Sequence, residues 1–114
     1  MIDVKFGKSE DGKSLVLTLH GHAGQAEKGQ DIVCSAASIL AYTAAQTVVA
    51  MHEEGKLQKK PNIKLDSGDI RIVCKPHEEA FPEALHAYSV VQIGYRLLEL
   101  TYPECVSLTM FGES

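Results

Sequence analysis

Cysteine is scarce in this chain. Three residues, at 34, 74 and 105, show neither a CxxC pair nor the even count of a disulfide framework. An odd set of thiols suits a reducing compartment, so a cytoplasmic location is expected. Long apolar runs are also missing. The N-terminus has no apolar signal core, and no stretch approaches about 18 uninterrupted apolar residues, which points to a soluble protein with no membrane partner. Basic charge is in short supply: 11 lysines and arginines face 15 aspartates and glutamates, for a net charge of −4. That balance gives no general attraction to nucleic acid, which needs a clustered basic face, and no direct nucleic-acid contact is expected. Lys56, Lys59 and Lys60 cluster in a connector that reads as a solvated loop. What remains is ordinary for a soluble globular protein, 45% apolar and 23% charged residues, and a single domain over residues 1–114 with its own core.

Two periodicities organise the chain. Ile2, Val4 and Phe6 alternate with polar neighbours in a first strand over residues 2–8, and Gly12 closes a hairpin into a second over residues 14–21, where Leu15, Leu17 and Leu19 share a face. From Ile32 the apolar residues recur at helical spacing, at Ala36, Ile39, Leu40, Thr43, Ala44 and Val48, in a helix over residues 32–54 that stops at Gly55. Residues 66–69 mark a second hairpin between strands carrying Ile63 and Leu65, then Ile70, Ile72 and Cys74. A second helix, with Pro82 in its first turn, carries Leu85, Tyr88, Val91, Tyr95 and Leu98 and ends before Pro103. Gly94 inside it signals close packing, because glycine there otherwise only destabilises the helix. A last strand covers residues 104–110. The order ββαββαβ predicts an α+β fold, with two helices packed on one face of a mostly antiparallel sheet.

The chemistry concentrates between the second strand and the first helix. Gly21-His22-Ala23-Gly24 ends the strand, and Asp31-Ile32-Val33-Cys34-Ser35-Ala36-Ala37-Ser38 opens the helix. Asp31 suits an N-cap, since its carboxylate can accept from first-turn N–H groups. Cys34 then falls in the first turn, where the helix dipole and unpaired donors favour a thiolate and where its own N–H could serve an oxyanion. A histidine at the strand end can fold back toward that sulfur, giving a Cys-His pair. His20 competes with His22 for that part, and His20, His22 and Cys34 could together bind zinc. No second cysteine or carboxylate completes a ligand spacing, however, and neither metal nor cofactor is expected. Asp31 is either a helix cap or a third residue orienting His22. Ser38, one turn beyond Cys34, either donates to the sulfur or substrate or bonds its own helix backbone. Residues 24–30 are either a loop that closes over the site or a plain surface connection.

The Gly-His-Ala at residues 21–23, the Gly-Gln-Asp-Ile-Val-Cys from residue 29 and Ser38 resemble the Prp family of bacterial ribosomal-processing cysteine proteases. The resemblance extends over nearly the whole chain in length and element order. Ser35 stands where alanine is expected in much of that family, a small-for-small exchange. The resemblance implies a cysteine endopeptidase with Cys34 as nucleophile and His22 as general base and acid. Its implied substrate is the N-terminal extension of a large-subunit ribosomal protein, removed during ribosome assembly. The alternative is a non-catalytic dimeric module that holds a ribosomal protein or peptide. Apolar surface on both helices exceeds what one sheet contact needs, and a homodimer is expected under either reading.

Overall fold

The computed structural model describes residues 1–22 and 30–113, with residues 30 and 31 described by their backbone alone. Its elements are β1 (Ile2–Lys8), β2 (Leu15–His20), α1 (Gln30–Glu53), β3 (Asn62–Asp66), β4 (Asp69–Cys74), α2 (Phe81–Thr101) and β5 (Val106–Thr109). A short 3-10 turn, Glu78–Ala80, leads into α2, and Pro82 sits in the first turn, where a missing N–H costs nothing. The sheet runs β3-β4-β2-β1-β5. Its β1–β5 pair is parallel and the other pairs are antiparallel. This is the expected α+β architecture.

Alternation decides which face the helices cover. Ile2, Val4 and Phe6 of β1, Leu15, Leu17 and Leu19 of β2, and Ile70, Ile72 and Cys74 of β4 are all buried. Against them lie Ala84, Tyr88, Val91, Tyr95 and Leu98 of α2. Removing either Leu15 or Leu17 of β2 from water contributes about 1.5–3 kcal/mol, so truncating either to alanine is costly. Cys105 is buried just before β5, which makes it a packing residue of the turn that leads into that strand.

Helix α1 departs from expectation in two ways. Its core face is Val33, Ala37, Ala41, Ala44, Ala45, Val48 and Met51, whereas Ile32 and Ile39 are 63% and 61% exposed. The stripe centred on those isoleucines is therefore the outer face. Ala37, Ala41, Ala44 and Ala45 fill the middle of the inner one, where small side chains let the sheet and α2 approach closely, and Val33, Val48 and Met51 flank them. The described helix also already includes Gln30, so Asp31 lies within it rather than before it as a cap. The C-terminus ends as expected. Gly55, at φ +73°, donates to the His52 carbonyl and Lys56 donates to that of Met51, the paired bonds of a Schellman motif. By composition α1 is long and apolar enough to cross a bilayer, but here one side of it builds the core.

Candidate active site

Leaving β2, Gly21 turns the chain at φ +98°, and its N–H donates to the Gly68 carbonyl at 2.9 Å. The Met1 amino group donates to the His22 carbonyl at 2.7 Å. These two bonds fix the backbone on either side of the His22 Cα. Opposite stands α1, with residues 31, 34 and 38 at i, i+3 and i+7 and hence on one side of the helix. His22, Cys34 and Ser38 line one cavity of about 180 Å³, closed by Leu19, Tyr42 and the residues of the β3–β4 turn.

Cys34 is half-buried, and its Cα–Cβ bond tilts toward the start of α1, as in any helix. His22 is exposed, with its ring laid against Gly68. Among the described residues no hydrogen bond joins the sulfur to the imidazole, although both line the cavity. Because α1 already includes Gln30, Cys34 lies four residues inside the described helix. The i→i−4 pattern then directs the Cys34 N–H at the Gln30 carbonyl, so it is not a free oxyanion donor. The expectation that it would serve as one is corrected.

His20 is placed elsewhere. It lies opposite Asp69 in the β2–β4 ladder, and its Nδ1 sits 3.2 Å from an Asp69 carboxylate oxygen. Neighbouring Leu19 points into the core, so strand alternation turns His20 to the open face of the sheet, away from the cavity. The Asp69 carboxyl is held below the ordinary range, chiefly by the Lys64 ammonium and less by His20. The side chain of Asp31 and residues 24–29 of the loop expected over 24–30 lie outside the described residues, and Gln30 belongs to α1.

Cys74 and Cys105 are buried, and burial pushes the Cys74 thiol above its ordinary value, which leaves it a poor nucleophile. The residue that sequence reasoning missed is Gly68. Its turn was legible as a hairpin, but nothing local in the pattern says that this hairpin pairs with β2 and abuts His22.

A half-buried cysteine and a histidine facing one cavity are the equipment of an enzyme that works through a sulfur nucleophile. The chain belongs to the cysteine protease Prp family, whose sequence pattern matches residues 1–107. It is a cysteine protease. The ribosomal processing cysteine proteases Prp of two Staphylococcus aureus strains are each 24% identical to it over 108 residues, covering 95% of this chain and 97% of theirs. The crystal structure of the S. aureus Prp with a substrate peptide aligns with a TM-score of 0.69 at 22% identity, covering 96% of this chain and 99% of that one. The form with a covalently linked product peptide gives 0.67 at 23% identity, with the same coverage. A Streptococcus mutans protein gives 0.67 at 22% identity, over 97% of this chain and 94% of its own. At these identities the solved structures speak for the fold alone.

Proposed function

We propose that this protease removes the N-terminal extension of a large-subunit ribosomal protein during ribosome assembly, with Cys34 as nucleophile and His22 as general base and acid. The observation that carries the roles is the shared cavity: His22, Cys34 and Ser38 line it together, while Cys74 and Cys105 are buried in the core. The ribosomal substrate rests on the family and on the ribosomal-processing names of the S. aureus relatives.

In this mechanism His22 takes the thiol proton, and the Cys34 sulfur attacks the scissile carbonyl, forming a carbon–sulfur bond. The carbon–nitrogen bond breaks as the imidazolium returns the proton to the departing amine. Water then attacks the thioester and gives a proton to His22. The carbon–sulfur bond breaks, releasing the acid and restoring the sulfur. With the Cys34 N–H engaged in its helix, Ser38 is the supporting donor for the substrate carbonyl or the sulfur. Asp31 keeps a supporting role by its place one turn before Cys34 on the same side of α1. No metal or cofactor enters the reaction.

A cytoplasmic location is in keeping with three free cysteines. A homodimer is supported by the outer surface of the helices, where Ile32, Ile39, Val90, Ile93, Leu97 and Leu100 are each more than half exposed.

The test is the pH profile of iodoacetamide labelling, read at each cysteine by mass spectrometry with and without a peptide spanning the processing site. Fast labelling of Cys34 alone below pH 7, blocked by the peptide, together with loss of cleavage in Cys34→Ala, is the expected result. Slow and equal labelling of all three thiols without peptide-dependent cleavage would favour the binding-module alternative. Cleavage retained by Cys34→Ala would remove the nucleophile.

A further inference from the structure

The imidazole of His22 rests directly on the backbone of the β3–β4 turn. A Cβ built on Gly68 would lie 2.5 Å from His22 Nε2, 2.8 Å from Cε1 and 3.2 Å from Cδ2. The nearest of these separations is one that real Cβ atoms do not adopt, so the ring occupies space that only a glycine leaves open. The same residue accepts the Gly21 N–H at 2.9 Å, which ties the turn to the segment carrying His22. One position in the turn therefore fixes both the His22 backbone and the height of its ring over the cavity.

We propose that Gly68 is a positioning residue for His22, holding the imidazole at the mouth of the cavity that Cys34 lines. This rests on the reading of His22 as the base for Cys34. Gly68 has no side chain to take a proton or meet the sulfur, so it acts through the ring. The left-handed backbone at φ +70° selects glycine by itself, and the ring adds a second, independent requirement.

The second requirement can be separated from the first because the chain contains a matched control. Gly12, in the β1–β2 turn, has φ +73° and no atom within 4 Å of its would-be Cβ. Gly12→Ala therefore imposes the same backbone strain and touches nothing. Gly68→Ala imposes the strain and displaces His22. Gly68→Asn carries the same Cβ on a residue that tolerates the left-handed region, which keeps the test open if the alanine variant folds poorly.

The experiment measures the rate of Cys34 alkylation from pH 5 to pH 9, and kcat and KM on a processing-site peptide, for both Gly68 variants, Gly12→Ala, His22→Ala and the His22→Ala/Gly68→Ala double variant. A general base contributes roughly 100- to 10,000-fold, so misplacing it should cost on the order of tenfold or more in kcat. Gly68→Ala and Gly68→Asn should both show that loss and slower alkylation at pH 7. Gly12→Ala should match wild type, and the double variant should be no slower than His22→Ala alone. Gly68 variants indistinguishable from wild type while His22→Ala is impaired would overturn the positioning role and leave His22 intact. A further loss in the double variant would also overturn it, because Gly68 would then act by another route. An unimpaired His22→Ala would remove the base assignment and this inference with it.

Discussion

Two phenols sit where water does not reach them. Tyr88 is 1% exposed and donates toward the Ile72 carbonyl at 3.2 Å, with the Leu15 carbonyl at 3.4 Å. Tyr95 donates to the Ala37 carbonyl of α1 at 2.8 Å. Burial raises the ionisation of both phenols far above the ordinary range, and the neighbouring Cys74 thiol raises that of Tyr88 further. Cys74 is raised by burial, with Tyr88 partly offsetting it. The sign of the consequence follows. Below about pH 8.5 these groups are neutral in folded and unfolded chains alike and give no slope. Above it the unfolded chain loses protons that the folded chain keeps, so stability must fall as pH rises through the ordinary thiol and phenol values. Tyr88→Phe should cost about 1 kcal/mol at pH 7, the worth of its hydrogen bonding. It should also decline less steeply than wild type between pH 9 and 11, because one raised phenol is gone while Cys74 and Tyr95 keep a residual slope. Urea titrations at three pH values read both effects, and parallel slopes would contradict the account. At this scale much was legible in advance. Cys74 in phase with Ile70 and Ile72 reads as buried packing, and His22, Cys34 and Ser38 read as neighbours from a strand end and one helix side. The place of Gly68 was not legible, because it depends on β4 pairing with β2 across some fifty intervening residues.

The helices meet at a glycine. A Cβ on Gly94 would fall 2.5 Å from one Leu40 methyl and 3.2 Å from the other, so α2 approaches α1 more closely than an alanine allows. Two effects then oppose each other. Alanine gains about 1 kcal/mol of helix propensity over glycine, while Leu40 must turn its end away at a cost of similar size. Leu40 is only partly buried and can turn. Gly94→Ala is therefore expected within about 1 kcal/mol of wild type, yet in a Leu40→Ala background the same change should stabilise by about 1 kcal/mol. Thermal melts of the four proteins give the coupling, and a coupling near zero would mean the contact is not tight. The close approach at Gly94 was readable as a glycine with no other reason to sit mid-helix. The phase of α1 was not, because bulky isoleucines outweigh alanines in any periodicity count although alanine is what the crowded interior admits. The place of Asp31 within α1 was not legible either: it has the chemistry of a cap, but a short acidic residue is equally at home near the start of a helix, where the dipole favours it.

Beyond its elements the molecule presents an apolar surface that its own fold leaves uncovered. Along α2, Val90, Ile93, Leu97 and Leu100 are 54%, 60%, 59% and 61% exposed, at the alternating three- and four-residue spacing of a helix seam. On α1, Ile32 and Ile39 lie one heptad apart and are as exposed. Ile39 and Leu97 line the same groove between the helices, so the two stripes form one patch. An apolar patch of this length, on a chain with 23% charged residues, is what a second copy would cover. The proposed homodimer should therefore bury this patch and leave the sheet open. Leu97→Lys places an ammonium at its centre, where burial without a partner costs several kcal/mol, whereas in the monomer the position is exposed and the change nearly free. Sedimentation at micromolar to tens-of-micromolar concentrations should show wild type as dimer and Leu97→Lys as folded monomer with an unaltered far-ultraviolet spectrum. Glu10→Gln, which makes the same change in charge at the exposed β1–β2 turn, should remain dimeric. A wild-type monomer throughout that range, or a dimer that survives the lysine, would assign the patch to another partner.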